Sequence, residues 1–221
     1  SKFKNYSRKD GLPSKLITTV HIDKNDENIV WSGSENSGLT RYENNKFVTY
    51  SMKDGLPSNT IRDIIQSNDG EIFIACYNSG LSKFNGQKFE LFEQGLDDKR
   101  VVKLEVGLDN KIWAATESAG IGIFENDIFT MVKDSDGLAH NEMFSLYFDG
   151  GRMWASTFGG GVSCFTDGSW ITLRESDGLP SNTIGAISST KEGRIVFGSD
   201  NGLSILSIDN SKFKLNVDKI L

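Results

Sequence analysis

The feature that most constrains this chain is that it repeats itself. The segment DGLPS occurs at 10–14, 54–58 and 177–181, with a weaker copy at Asp136-Gly137-Leu138-Ala139 and a degraded one at Gln94-Gly95-Leu96-Asp97. Five residues after each Leu stands an apolar residue: Ile17, Ile61, Val101, Met143 and Ile184. Three further on comes another: Val20, Ile64, Leu104, Leu146 and Ile187. A third column holds Trp31, Phe73, Trp113, Trp154 and Val196; a fourth, always directly after Gly, holds Leu39, Leu81, Ile121, Val162 and Leu203. A fifth holds Tyr42, Phe84, Phe124, Phe165 and Leu206, and an aromatic then opens the next stretch at Phe3, Phe47, Phe89, Phe129, Trp170 and Phe213. A period of about 42 residues sustained over so many columns marks a repeat architecture.

Each unit reads as four short strands, which in the second fall at about 60–66, 71–77, 80–84 and 88–92. Asn68-Asp69-Gly70 and Asn85-Gly86 supply the positive φ that tight antiparallel hairpins require. A four-stranded meander of this size cannot bury both faces alone. Radial stacking gives each sheet two neighbours and protects its edges. The expected fold is therefore all-β: a five-bladed β-propeller in one domain, 1–221, with units at about 3–46, 47–88, 89–128, 129–169 and 170–212. DGLPS is expected to carry the chain from the outer strand of one blade to the inner strand of the next, with Leu as a buried plug. A closed monomeric ring is favoured because 221 residues match five units; the alternative is an arc of a larger propeller. Residues 3–6 and 212–216 both read as outer strands of the last blade and compete for one edge.

Composition agrees with a globular β protein. Gly is frequent at 23 residues and interrupts any helical run, and 37% hydrophobic with 24% charged residues is not a disordered composition. A net charge of −6, without a basic stripe, argues against nucleic acid. No apolar run is long enough to span a bilayer. Cys76 and Cys164 read as small buried hydrophobes rather than a disulfide pair.

The pattern over residues 54–84, DGLPSN-x-I-x-x-I-x-x-x-x-G-x-I-F-I-x-x-x-x-x-G-L-S-x-F, resembles the two-component regulator propeller repeat. The resemblance covers essentially the whole chain and is poorest in the third unit. It implies a bacterial, extracytoplasmic (periplasmic or extracellular) sensing region in signal transduction, binding a ligand without catalysis. The family's sensor regions usually hold more than five blades, followed by an immunoglobulin-like domain, a membrane helix and a kinase.

By strand direction, the interblade linkers and the loops between second and third strands share one face. Residues that break the repeat there are the candidates for binding: Asn36, Tyr77, Asn78, Arg100, Glu117, His140, Phe158 and Asp200, with Lys99 and the Gly159-Gly160-Gly161 run beside them. Aromatic faces with amides, Arg and carboxylates suit a glycan or another polar small molecule; a protein partner on a bare scaffold is the other binding reading. No cofactor and no metal are expected. His21 and His140 are the only histidines and lie on different repeats, short of a zinc ligand set. Asp23-Lys24-Asn25-Asp26-Glu27 echoes a calcium loop, but Asn28 and Ser34 stand where Gly and Glu are needed. The Gly run lacks the Lys-Ser/Thr ending of a phosphate loop, and Asn5-Tyr6-Ser7 is a glycosylation sequon. The enzymatic alternative is a lyase of the streptogramin-inactivating type, whose axial His could only be His140.

Overall fold

The computed structural model describes residues 2–107, 109–209 and 214–220. Among these, twenty strands form five four-stranded antiparallel sheets, each a meander in chain order. The first blade is β1 (Ile17–Ile22), β2 (Val30–Ser34), β3 (Leu39–Glu43) and β4 (Lys46–Tyr50); the second is β5 (Ile61–Gln66), β6 (Ile72–Cys76), β7 (Gly80–Phe84) and β8 (Phe89–Phe92). The third is β9 (Val101–Val106), β10 (Ile112–Thr116), β11 (Ile121–Glu125) and β12 (Ile128–Val132); the fourth is β13 (Met143–Phe148), β14 (Met153–Thr157), β15 (Val162–Thr166) and β16 (Ser169–Leu173). The fifth is β17 (Ile184–Ser189), β18 (Ile195–Ser199), β19 (Gly202–Asp209) and β20 (Lys214–Ile220). The strands expected in the second repeat are those observed, within a residue at each end.

The linkers do the work their sequence implies. After β4, Ser51 and Asp54 cap a single 3-10 turn reciprocally, and Gly55 closes it at φ 90°. Leu56 then inserts between blades at 2% exposure, and Leu96, Leu138 and Leu179 repeat the plug. Four buried apolar clusters occupy the four joints between consecutive blades. The first joins Trp31 and Leu39 to Ile61, Ile64 and Ile74; the others are built on Phe73, Trp113 and Trp154 in turn. Each buried Leu, Ile or Phe contributes about 1.5–3 kcal/mol, so the blade joints are the core.

The closed ring is corrected by the structure. The inner strands β1, β5, β9, β13 and β17 pack in sequence, but β17 has no comparable packing against β1. Val20 on β1 is 68% exposed, whereas its counterparts Ile64, Leu104 and Leu146 are at most 3% exposed. At the other end Leu203 is 44% exposed, whereas Leu39, Leu81, Ile121 and Val162 are fully buried. The five blades thus form an open arc. The physical reason lies at the contested edge: β20 pairs along β19 from Asp209↔Lys214 to Leu203↔Ile220 and fills the outer place of blade five. Residues 3–6 do not reach it; Phe3 is solvent-exposed, and Tyr6 packs on Tyr42 and Phe47 of the first blade. The expected strand at 212–216 falls partly on 212–213, outside the described residues.

Candidate functional site

Because every inner strand runs away from its linker, the linkers and the loops after β2, β6, β10, β14 and β18 gather at one end of the arc. Backbone bonds hold loop to linker in each of the first four blades: Glu35 N–H to Leu16 C=O, Tyr77 to Thr60, Glu117 to Arg100 and Phe158 to Glu142, at 2.9–3.1 Å. One row of side chains, Glu35, Tyr77, Glu117, Phe158 and Asp200, therefore stands at equivalent positions around this face. A second row, Thr18, Arg62, Val102, Phe144 and Gly185, is the second residue of each inner strand.

These rows carry a continuous polar network over three blades. Glu35 pairs with Arg62 at 3.5 Å, and the Arg62 guanidinium lies 4.5 Å from the centre of the Tyr77 ring. Tyr77 donates its hydroxyl hydrogen to Glu117 at 2.9 Å, and Glu117 also pairs with Arg100 at 3.2 Å. Arg100 donates from Nε and Nη2 to the two oxygens of Asp98, both at 2.9 Å, and from Nη2 to Ser118 Oγ at 2.8 Å. The two-pronged bond fixes the guanidinium plane. Asp98 raises the Arg100 pKa above its ordinary value. Against the burial that would raise it, bonds from Arg100 and Ser118 hold Asp98 below the usual carboxylate range. The fourth blade presents apolar surface instead: Phe144 and Phe158, both exposed, meet edge to face at 5.8 Å.

Of the expected residues, the structure brings Tyr77, Arg100 and Glu117 into direct contact. Phe158 shares their face but pairs with Phe144. Asn36 and Asn78 are exposed beside the network, Asn78 at φ 63°. His140 Nδ1 accepts from the Glu142 N–H and so caps its own linker, and Asp200 is exposed in the turn of blade five. Arg62, Asp98, Ser118 and Phe144 were missed. They occupy columns that vary from blade to blade, and only the row of second inner-strand positions could have pointed to Arg62 and Phe144.

The clefts between blades open at the opposite end, among the hairpin turns. One of about 580 Å³ is lined by Asp23, Trp31, Arg41, Tyr50, Asp69 and Glu71; one of about 370 Å³ is lined by Gly107, Trp113, Phe148 and Phe165. Among the described residues, no three His, Cys, Asp or Glu side chains are grouped to hold a metal. Burial pushes the thiols of Cys76 and Cys164 up to about 12, so neither is a thiolate at neutral pH. Among the described residues, no helix is long and apolar enough to cross a membrane.

Residues 55–78 match the sequence profile described as two component regulator propeller. The match covers the first half of the second blade. It runs from Gly55 of the linker through β5 and β6 to Asn78, so Arg62 and Tyr77 lie inside the matched repeat. No curated protein matches the chain by sequence. Among solved structures, the extracellular domain of a hybrid two component system from B. thetaiotaomicron superposes with a TM-score of 0.79 at 18% identity, over 96% of this chain and 31% of that one. The extracellular domain of a one component system from the same organism gives 0.74 at 14% identity, over 93% and 31%. Virginiamycin B lyase from Staphylococcus aureus gives 0.68 at 15% identity, over 93% and 70%. At these identities the likeness is one of fold. The chain spans about a third of the length of those two extracellular domains.

Proposed function

We propose that this chain is a non-catalytic recognition module of an extracytoplasmic sensor, which binds a polyhydroxylated ligand of the oligosaccharide class on its linker face. The observation that carries the reading is the composition of that face. A fully paired Arg–Tyr–Glu–Arg–Asp network over blades one to three stands at the same end of the arc as the exposed Phe144–Phe158 pair on blade four. Sugar rings offer the matching chemistry, an apolar face for an aromatic ring and hydroxyls that both donate and accept. Paired guanidinium and carboxylate groups hold their positions without a ligand and so need little reordering to bind one. The extracytoplasmic setting is supported by the regulator-propeller repeat and by likeness to extracellular domains of two component systems.

The test is calorimetric titration of the chain with gluco-, xylo- and galacto-oligosaccharides. Binding of one series is expected, with Phe158→Ala and Tyr77→Ala each weakening it at least tenfold. Absence of binding across all three series, or binding unaffected by both substitutions, would overturn the proposal. Conversion of a bound oligosaccharide by the chain would replace recognition with catalysis.

A further inference from the structure

Three blades carry Trp in the second-strand column. Two of them supply its indole N–H with a carboxylate from the first residue after the inner strand, Asp23 to Trp31 and Asp149 to Trp154. Where the column holds no indole the carboxylate is not kept: Ser67 stands there in the blade of Phe73, and Thr190 in the blade of Val196. Blade three breaks this match. It keeps Trp113 but has Gly107 in the acceptor's place. Trp113 is 7% exposed, and its Nε1 has no partner among the described residues. A Cβ on Gly107 would lie 2.7 Å from Nε1, nearer to it than to any other atom of the ring. The orphan N–H thus lies at the gap that a side chain on residue 107 would fill.

Gly107 and Trp113 both line the cleft of about 370 Å³ between blades three and four, where Phe148, Met153 and Phe165 complete an apolar wall. The Phe165 ring centre lies 5.7 Å from that of Trp113, with the planes at 50°. Asp109 and Asp167 stand exposed at the cleft, and Asp109 is paired with Lys111 at 2.9 Å. Among the described residues, no Lys or Arg lines it. The clefts at the other joints are charged instead. The first is lined by Asp23, Arg41, Asp69 and Glu71, the second by Asp69, Glu71, Lys111 and Glu125, and the fourth by Asp149 and Arg152. Blades two and five flank the pair, so the apolar cleft belongs to an interior joint.

From these observations we infer that this cleft is a second binding site, for an uncharged molecule of one or two apolar rings that carries a carbonyl acceptor. Its volume falls in the range of small-molecule pockets, and aromatic walls around one placed donor are their usual make-up. The rings lie among Trp113, Phe148 and Phe165, and the carbonyl oxygen accepts from Trp113 Nε1 in place of the missing carboxylate. A buried donor without a partner carries an uncompensated desolvation cost, and the ligand acceptor removes it. The carboxylates of Asp109 and Asp167 repel an anion, so the acceptor is neutral. Because the indole leans into the gap, it moves back as the oxygen enters. The site is at the opposite end of the arc from the linker face, and its occupancy is independent of the sugar proposed there.

The test is an NMR titration of isotope-labelled protein with acetylnaphthalene, ethylnaphthalene and naphthoate, read on the indole N–H signals. The Trp113 signal is the one absent from Trp113→Phe. With acetylnaphthalene it is expected to move downfield and saturate, as a donor that gains an acceptor does, while the Trp31 and Trp154 signals stay. Ethylnaphthalene keeps the rings without the oxygen and should bind at least tenfold more weakly. Naphthoate, which is anionic, should also be at least tenfold weaker. Gly107→Asp supplies the carboxylate of blades one and four, and should weaken acetylnaphthalene at least tenfold. Trp113→Phe keeps an aromatic wall without the donor, so it should bind the acetyl and ethyl compounds about equally, read on the Gly107 and Thr166 backbone amides. A Trp113 signal that stays in place up to the solubility limit would overturn the inference. So would equal wild-type affinity for the acetyl and ethyl compounds, tighter binding of naphthoate, or an affinity unchanged by Gly107→Asp. Should Gly107→Asp not fold, Trp113→Phe decides alone: a preference for the acetyl compound that survives loss of the N–H refutes the contact.

Discussion

Trp31, Trp113 and Trp154 hold one column of the repeat, yet their indole N–H groups meet different surroundings. Trp154 donates to Asp149 at 2.9 Å and Trp31 to Asp23 at 3.4 Å; each acceptor is the first residue after its inner strand. In the third blade that place is held by Gly107, and the buried Nε1 of Trp113 has no partner among the described residues. The ring has moved into the vacated room, since a Cβ on Gly107 would come within 2.7 Å of Nε1. Trp154→Phe gives up a hydrogen bond that Trp113→Phe does not, and should cost about 1–2 kcal/mol more in urea unfolding; equal losses would show that the Asp149 bond is worthless. Trp113→Ala, which empties the joint, should cost about 3–5 kcal/mol. His21 offers a pH test. Burial lowers its pKa below the ordinary 6.5, while the contact with Gln66 opposes the shift. As pH falls through 6.5 the unfolded chain therefore takes up the proton first, and stability is lost until the lowered folded value is passed. From pH 7.5 to 5, the wild type should lose more stability than His21→Gln, and a parallel decline would refute the assignment.

At the scale of the element, the opening of the third strand is where packing is tightest. Gly161 sits at φ 94°, donates across the joint to Asn182, and a Cβ there would lie 2.1 Å from the Leu173 carbonyl oxygen. Gly159, in the turn just before it, sits at φ 76° with nothing within 4 Å of a would-be Cβ. Gly159→Ala costs only backbone strain, about 1–3 kcal/mol. Gly161→Ala adds a clash with main chain, and should exceed it by about 1–3 kcal/mol. Equal costs by chemical denaturation would show that the outer strand yields freely.

For the whole molecule, an open arc of five blades is a linear array with four internal joints. Blades two to four are held on both faces, and blades one and five on one face each. Stability in such arrays is a sum of unit and nearest-neighbour contributions, so the ends open first. Amide hydrogen exchange on dilute protein should show the slowest amides in β6, β10 and β14, and much faster exchange in β1 and β17. Uniform protection from end to end would indicate a cooperative ring.

The sequence by itself determined the blade. Alternating apolar residues and Asn/Asp/Gly turns depend only on neighbours along the chain, and so the strands, hairpins, linker plugs and the Trp/Phe column could be read from the repeat. The linker face and its members Tyr77, Arg100 and Glu117 were legible too, because strand direction fixes which loops share an end and departures from the repeat stand out. Only the tertiary structure decided which of these residues touch. Arg62, Asp98, Ser118 and Phe144 join the face through the lateral distance between blades, a quantity no single repeat encodes. Closure was decided at the same level. Whether five blades meet depends on the small turn at each joint summed over the arc, and on β20, not residues 3–6, taking the last outer edge. Every repeat carries the same joint, but none of them carries the count at which the joints close.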